Sequence, residues 1–198
     1  IKHETQRIAT IVRNLLTFAR QEDESQRKAR PSDIVEATLS LIRTVMRHDQ
    51  ITLDIDIPQD LPPIHCHPQQ IQQVLMNLMT NARDALSNRY PTYDERKKLI
   101  LSARLFEEDG EAWVRFTIED HGIGITSEVS ERMFDPFFTT KSRAVGTGLG
   151  LSISHGIVKD HGGRLLAESE VGQYTRFHVE LPVAGNQTPL DPEALDHL

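Results

Sequence analysis

From Gln73 to Leu86 the chain reads QVLMNLMTNARDAL. Its apolar residues are Val74, Leu75, Leu78, Met79, Ala82, Ala85 and Leu86. That spacing describes a helix with one buried face. Asn77 and Asn81 lie one turn apart and Asp84 follows three residues on, so the three line up as a polar stripe beside the apolar one. Two readings are open for such a stripe. The amides hydrogen-bond within the core, or they face a ligand.

The chain has 198 residues, enough for one compact domain and an appendage. Hydrophobic residues at 38% and charged residues at 26% place it among soluble globular proteins. No apolar run approaches the ~18 residues needed to span a bilayer, and no signal-peptide pattern is present. The chain opens on Ile1 rather than Met, so it is expected to be a piece of a longer protein, with any membrane anchor upstream. The single Cys66 excludes an internal disulfide and fits a reducing, cytoplasmic setting. A net charge of −7 argues against nucleic acid and anionic lipid as partners. An anionic ligand would need backbone N–H groups, a helix N-terminus or a metal ion. His65, Cys66 and His67 look like metal ligands, but consecutive residues of an extended segment point to alternate faces and do not converge on one ion.

Residues 1–20, IKHETQRIATIVRNLLTFAR, read as a long helix with Ile1, Ile8 and Leu15 seven apart and Ile11 and Phe18 at the other heptad position. The heptad stripe and the charged stretch QEDESQRKAR after it favour a bundle helix over one packed on its own domain. Pro31 opens a second helix to about Arg47, with Ile34, Val35, Leu39, Leu41, Ile42 and Val45 as its apolar set. ITLDIDI alternates as a half-buried strand and DLPPI breaks it. Pro68 starts the helix that carries the asparagines, which ends near Asn88 ahead of a polar loop. Residues 99–106 and 112–120 form a hairpin; 121–147 is loop; a helix runs from about Thr147 to Asp160 and stops at Gly162–Gly163. A last hairpin turns around Gly172–Gln173, and the tail after Pro182 has little to bury. The expected fold is α+β: a two-layer α/β sandwich of about five mostly antiparallel strands with three helices on one face, preceded by the bundle helix. The expected divisions are residues 1–28, 29–184 and a loose tail 185–198.

Glycine clusters mark three places: Asp120-His121-Gly122-Ile123-Gly124 after a strand, Gly146-Thr147-Gly148-Leu149-Gly150-Leu151 before a helix, and the turn at Gly172. Gly148 and Gly150 at a helix start would leave free N–H groups and a positive dipole end, an anion site. The spacing is neither a P-loop nor a Rossmann fingerprint. Taken alone, each cluster reads more readily as a plain turn than as a ligand site.

In order along the chain, QVLMNLMTNARDAL, DHGIG, FDPFFTTK and GTGLGLS resemble the N, G1, F and G2 boxes of the histidine-kinase catalytic domain. That domain is one of the GHKL (Bergerat-fold) ATPases, with gyrase, MutL and the ninety-kilodalton heat-shock chaperones. The resemblance covers residues 31–183 and is nearest to nitrogen-regulator sensor kinases, through PFFTTK and GLSISHGIV. Residues 1–20, ending LLTFAR, are similar to the second helix of the dimerisation and phosphotransfer hairpin. The resemblance implies ATP and Mg2+ as cofactors. It implies that Asn81 ligates the metal through its side-chain oxygen, with Asn77 one turn back facing the phosphates; hard cations of this kind take oxygen ligands. Asp84 either reaches the site through water or lies on the exposed helix surface, and Arg83 is either near phosphate or solvated. Asp120 would read the adenine amino group, with Thr175 supporting it through water. Gly122 and Gly124 would give the ring room and Ile125 would pack nearby. Residues 126–147 would be the ATP lid, anchored by Phe134, Phe137 and Phe138, with Lys141 meeting the outer phosphates and Gly146, Thr147, Gly148, Leu149 and Gly150 supplying the anion site.

Relatives that hydrolyse ATP carry a glutamate base four residues before the metal asparagine. Here that position is Asn77, and an amide takes no proton from water. A kinase whose nucleophile is an incoming imidazole suits it better. The phosphoacceptor box, roughly His-Glu-x-x-x-Pro, has no match: His3-Glu4 lacks the proline. His155 and His161 read as structural. The expectation is an ATP-binding kinase fragment acting on a histidine outside it, homodimeric through the bundle helix in the full protein and paired with a response-regulator receiver domain. The alternatives are a GHKL serine kinase of the anti-sigma type and a non-catalytic nucleotide sensor. Three positions depart from the pattern: His67 for an N-capping Asp, His121 for a small polar residue, and Tyr174, which would narrow the adenine side.

Overall fold

The fold is described by a computed structural model for residues 25–141 and 146–185. The expected bundle helix with His3, and the tail beyond 185, lie outside the described residues.

Helix α1 (Pro31–His48) and helix α2 (Pro68–Arg89) both begin at a proline, whose missing N–H is no loss in a first turn. Strand β1 (Arg27–Ala29) pairs antiparallel with β3 (Ile64–Cys66), a small sheet beside the main one. The sequence reading missed it: three residues are too few to show a period of two. The main sheet contains β2 (Thr52–Asp56), β4 (Lys98–Glu108), β5 (Glu111–Asp120), β6 (Arg164–Glu170) and β7 (Tyr174–Pro182). Its order is β2-β4-β5-β7-β6, with β2 and β4 parallel and every other pair antiparallel. Asp109 (φ 52°) and Gly110 (φ 80°) make the two-residue turn of the β4–β5 hairpin, the left-handed pair that matches strand twist.

Alternation divides the sheet into two faces. Leu99, Leu101, Val114, Phe116, Ile118, Phe177, Val179 and Leu181 point to the helices and are buried. Met46 of α1 and Leu75, Leu78, Met79 and Leu86 of α2 meet them in one core. Leu41 and Val45 are 60% and 41% exposed, so the apolar stripe of α1 is narrower than its composition suggests. The opposite face is laced with ion pairs. Glu180, 1% exposed, lies between Arg115 (2.5 Å) and Arg164 (2.7 Å), and Arg176 pairs with Glu119 at 2.6 Å. A carboxylate so deeply covered is tolerable only with its counter-charges in place.

Helix α3 (Ser127–Arg132) lies within the stretch read as loop, capped by the Thr126 hydroxyl. Helix α4 (Gly150–Asp160) starts three residues later than expected, because Gly148 adopts φ 69° and leaves the helical region. Past its end, buried His161 uses both ring nitrogens: Nδ1 donates to the Ile157 carbonyl at 2.7 Å, and Nε2 accepts the His67 backbone N–H at 3.0 Å. His67 itself gives α2 no side-chain cap. Burial pushes the His161 pKa below its usual 6.5, so the unfolded chain takes up a proton at a pH where the native imidazole does not. Stability is therefore expected to fall as pH drops below about 6.5, and His161→Gln should flatten that slope in urea titrations at pH 5 and pH 8. An unaltered slope would show that His161 does not contribute.

Candidate functional site

Burial of its apolar face fixes the rotation of α2 and brings Asn77, Asn81 and Asp84 to one edge. Asn81 Oδ1 and Asp84 Oδ2 both accept from the Lys141 ammonium, at 3.0 and 2.5 Å. Asn77 Nδ2 donates to Ser154 Oγ of α4 at 2.9 Å. A Cβ on Gly150 would lie 2.4 Å from Asn77 Oδ1, and one on Gly148 would lie 2.3 Å from the Phe137 carbonyl carbon. These glycines therefore let the start of α4 press against α2 and against the 137–141 segment. The Phe137 N–H donates to the Gly148 carbonyl at 2.9 Å. Leu149, the N-cap of α4, makes no side-chain cap bond, which leaves the positive end of the helix dipole without one.

At the end of β5, Asp120 is 3% exposed. Burial pushes its pKa up to about 7; the Gly122 N–H, donating to Oδ1 at 2.9 Å, opposes the rise and Glu119 adds to it. Thr175 is its cross-strand partner on β7. Ser169 ties this corner together, accepting from the Ile125 N–H at 2.8 Å, donating to the Tyr174 carbonyl at 2.7 Å and meeting Thr175 Oγ1 at 3.0 Å. Gly122 lies against Ala85 of α2, and Gly124 (φ 74°) against the Glu170 carbonyl. Arg89, in the last turn of α2, donates to the carbonyls of His121 (3.1 Å) and Gly122 (2.9 Å). The sequence offered only a basic last-turn residue as a hint of that clamp.

Several sequence expectations need correction. Arg83, expected either near phosphate or solvated, instead pairs with Asp49, whose pKa is lowered by hydrogen bonds from His48 and then Arg83. Phe134 docks, stacking on His155 at 5.1 Å, and Phe138 lies under Arg132 at 4.7 Å. Phe137 does not dock: it is 70% exposed with φ 67°. Met133, 7% exposed, is the buried anchor instead. Tyr174 does not narrow the Asp120 side, since it stacks with Arg176 at 4.5 Å on the face that alternation places opposite Thr175. His65 bonds to Gln26 while Cys66 is fully buried, and the described residues hold no three-residue metal cluster of His, Cys, Asp or Glu. A cavity of about 370 Å3 opens elsewhere, near Arg27, Arg30 and Gln72.

Residues 66–185, more than half of the chain, match the family model described as "Histidine kinase-, DNA gyrase B-, and HSP90-like ATPase". The chain belongs to this ATPase family. It is 31% identical over 94% of its length to "Sporulation kinase E" of Bacillus subtilis, spanning 24% of that protein. It is 38% identical over 92% of its length to "Sensor kinase CckA" of Brucella abortus, spanning 20% of it. The chain thus spans about a quarter or less of these curated relatives. Among solved structures, the catalytic domain of histidine kinase ThkA aligns at TM-score 0.65 and 28% identity, covering 81% of this chain and 97% of that one. The two-layer sandwich matches this histidine-kinase catalytic fold.

In this ATPase domain the buried Asp120 sets a stability prediction. The native carboxyl holds a proton up to about pH 7 and the unfolded one only to about 3.8, so the native state loses stability as pH rises through that window. Asp120→Asn keeps the acceptor for Gly122. It is expected to melt at the same or a higher temperature than wild type at pH 8, with that advantage gone at pH 4. A large loss at pH 8 would contradict a strained carboxylate.

Proposed function

We propose that residues 29–184 are the ATP-binding catalytic domain of a two-component sensor histidine kinase, which transfers the γ-phosphate of ATP to a histidine outside this chain. The observation that carries the reading is the pairing of Asn81 and Asp84 oxygens on one cation, on the same C-terminal half of α2 whose Ala85 and Arg89 border the corner of the buried, donor-poor Asp120. The Lys141 ammonium serves as a stand-in for a metal in the fit. An amide and a carboxylate oxygen converging on one cation are the hard donors that Mg2+ takes, together with water and phosphate. In this reading Asn81 holds the Mg2+, with Asn77 one turn back facing the phosphates. When bound, Mg·ATP supplies the phosphoryl group and the metal charge that offsets its phosphates.

The chain's residues do the rest. Asp120 accepts from the adenine amino group, and a donor there relieves a carboxylate now met by one N–H. Thr175 and Ile125 line that corner. The segment leading into the uncapped start of α4 (Gly146, Thr147, Gly148, Leu149 and Gly150) receives phosphate through backbone N–H groups. Asn77 has no basicity to activate water, so the domain holds and aims the nucleotide while the imidazole comes from elsewhere. The relatives named as sensor kinases support this assignment. By the same reading, residues 1–20, outside the described residues, belong to a nitrogen-regulator-like dimerisation hairpin, whereas Arg27 and Lys28 pair with β3 and so go with the catalytic domain; the full protein is a homodimer that passes phosphate to a response-regulator receiver domain.

Calorimetric titration of the chain with Mg·ATP tests the proposal. Asn81→Ala and Asp120→Ala should each weaken binding at least about tenfold, and γ-labelled ATP should leave the chain unlabelled until a separate hairpin bearing the acceptor histidine is added. Wild type that ignores Mg·ATP, or label on His3, would overturn it. Lys141→Ala is expected to weaken binding or transfer, and normal values for both would remove Lys141 from the phosphate site.

A further inference from the structure

Lys141 is 32% exposed and its partner Asp84 29%, so the pair is withdrawn from bulk water compared with an open surface bridge. Its backbone is held as well: the Lys141 N–H donates to Thr139 Oγ1 at 3.2 Å. Thr139 in turn lies against Gly146, where a Cβ would come within 2.4 Å of Oγ1 and 2.9 Å of the Lys141 Cβ. The two ends of the 141–146 stretch are thus pinched together, and the lysine is directed onto α2. There its ammonium uses two of its three N–H donors, one on the neutral amide oxygen of Asn81 and one on the charged oxygen of Asp84. The other charge near Asp84 is Arg83, 3.9 Å away and itself committed to Asp49.

We infer that Lys141 is a resident cation that occupies the Asn81–Asp84 position in the nucleotide-free protein and is exchanged for a divalent ion when metal-nucleotide enters. The inference rests on the function proposed above. One amide oxygen cannot accept a lysine N–H at 3.0 Å and ligate Mg2+ at the ~2.1 Å that ion demands while both cations crowd the same site. The ammonium must leave as the metal arrives. Its chain is anchored at Thr139, so the displaced charge remains close by and free to meet phosphate. Occupancy of the metal position and the placement of the 137–141 segment are then two aspects of one equilibrium. In the empty protein the lysine also spares Asp84 an uncompensated charge and suppresses binding of a divalent ion without its nucleotide.

Removing the lysine should therefore raise affinity for metal alone, which no merely structural role would do. Mn2+ binding to the 198-residue chain, read from the free-ion electron paramagnetic resonance signal at fixed ionic strength, is the test. Lys141→Ala and Lys141→Met are expected to bind Mn2+ about tenfold more tightly than wild type, as loss of one positive charge within a few ångströms implies. Lys141→Arg, which keeps a cation, should remain near wild type, and adding Asn81→Ala to Lys141→Ala should erase the gain. Mn2+ affinity that is unchanged or lower in both Lys141→Ala and Lys141→Met would overturn the exchange while leaving the proposed function standing, provided wild type binds Mg·ATP. Wild type that fails to bind Mg·ATP would overturn both.

Discussion

Everything at the site depends on how α2 is rotated about its axis, and that rotation is set by burial. Leu75, Leu78, Met79 and Leu86 are fully buried and Ala82 nearly so. One residue of slip would turn the helix by about 100° and bring polar side chains into the core. Held in register, the helix touches every part of the site. Asn77 backs the start of α4, Asn81 and Asp84 share Lys141, Ala85 receives Gly122, and Arg89 grips the carbonyls after β5. The glycines at 122 and 150 belong to the same constraint. Their missing side chains are what let neighbouring backbone close on the helix, so their first role is packing and any role toward a ligand follows from it.

The two faces of the sheet handle charge in opposite ways. On the outer face Glu180 and Glu119 are buried or half-buried beside arginines, and at Glu119 burial is outweighed by the Arg176 partner, which holds the pKa below its usual value. On the inner face Asp120 is buried with one backbone N–H and, among the described residues, no paired cation, and burial raises its proton affinity. A group held in a state it does not prefer, at a strand end among glycines, is the mark of a site whose partner arrives later. The cost falls on the free protein, in keeping with the general conflict between stability and a working site. Lys141 resolves the same problem at Asp84 by a different route, with a counter-ion that can move.

Long patterned elements were legible in the sequence. The helix at 68–89 and the strands at 98–108, 111–120 and 174–182 follow from spacing and residue type, whereas the four boxes were legible only through their resemblance to a known family. Elements below the length of a period were not. β1 and β3 have three residues each and α3 six. The parallel pairing of β2 with β4 joins segments separated by the whole of α2, and no local signal carries such a contact. Side-chain direction was harder still. Asn81, Asp84 and Lys141 were named singly, but their convergence on one point is a product of the fold. Arg83, adjacent to Asp84, turns to Asp49 because the C-terminus of α1 lies there. Tyr174 was misplaced for a simpler reason: alternation along β7 sends it away from Thr175, and that alternation could have been counted.

The histidines of the described residues bear on where the nucleophile must come from. His161 has both ring nitrogens bonded, and His67 meets its ring edge-on at 5.5 Å. His178 bonds to Thr117, with its pKa lowered chiefly by burial. His65 is engaged by Gln26, His121 by Glu119, His48 by Asp49 and His155 by the Phe134 ring. None of these contacts is with the Asn81–Asp84 edge of α2. A phosphoryl acceptor must present an unencumbered nitrogen in line with the leaving oxygen, and imidazoles engaged in packing and pairing do not offer one. Asn77 is committed to Ser154 and packs on Gly150, and its amide offers no base for water; under the proposed function the cleft holds a triphosphate without consuming it. That division of labour, storage in the domain and attack from outside it, is what a phosphotransfer reaction needs if the nucleotide is to survive until its acceptor arrives.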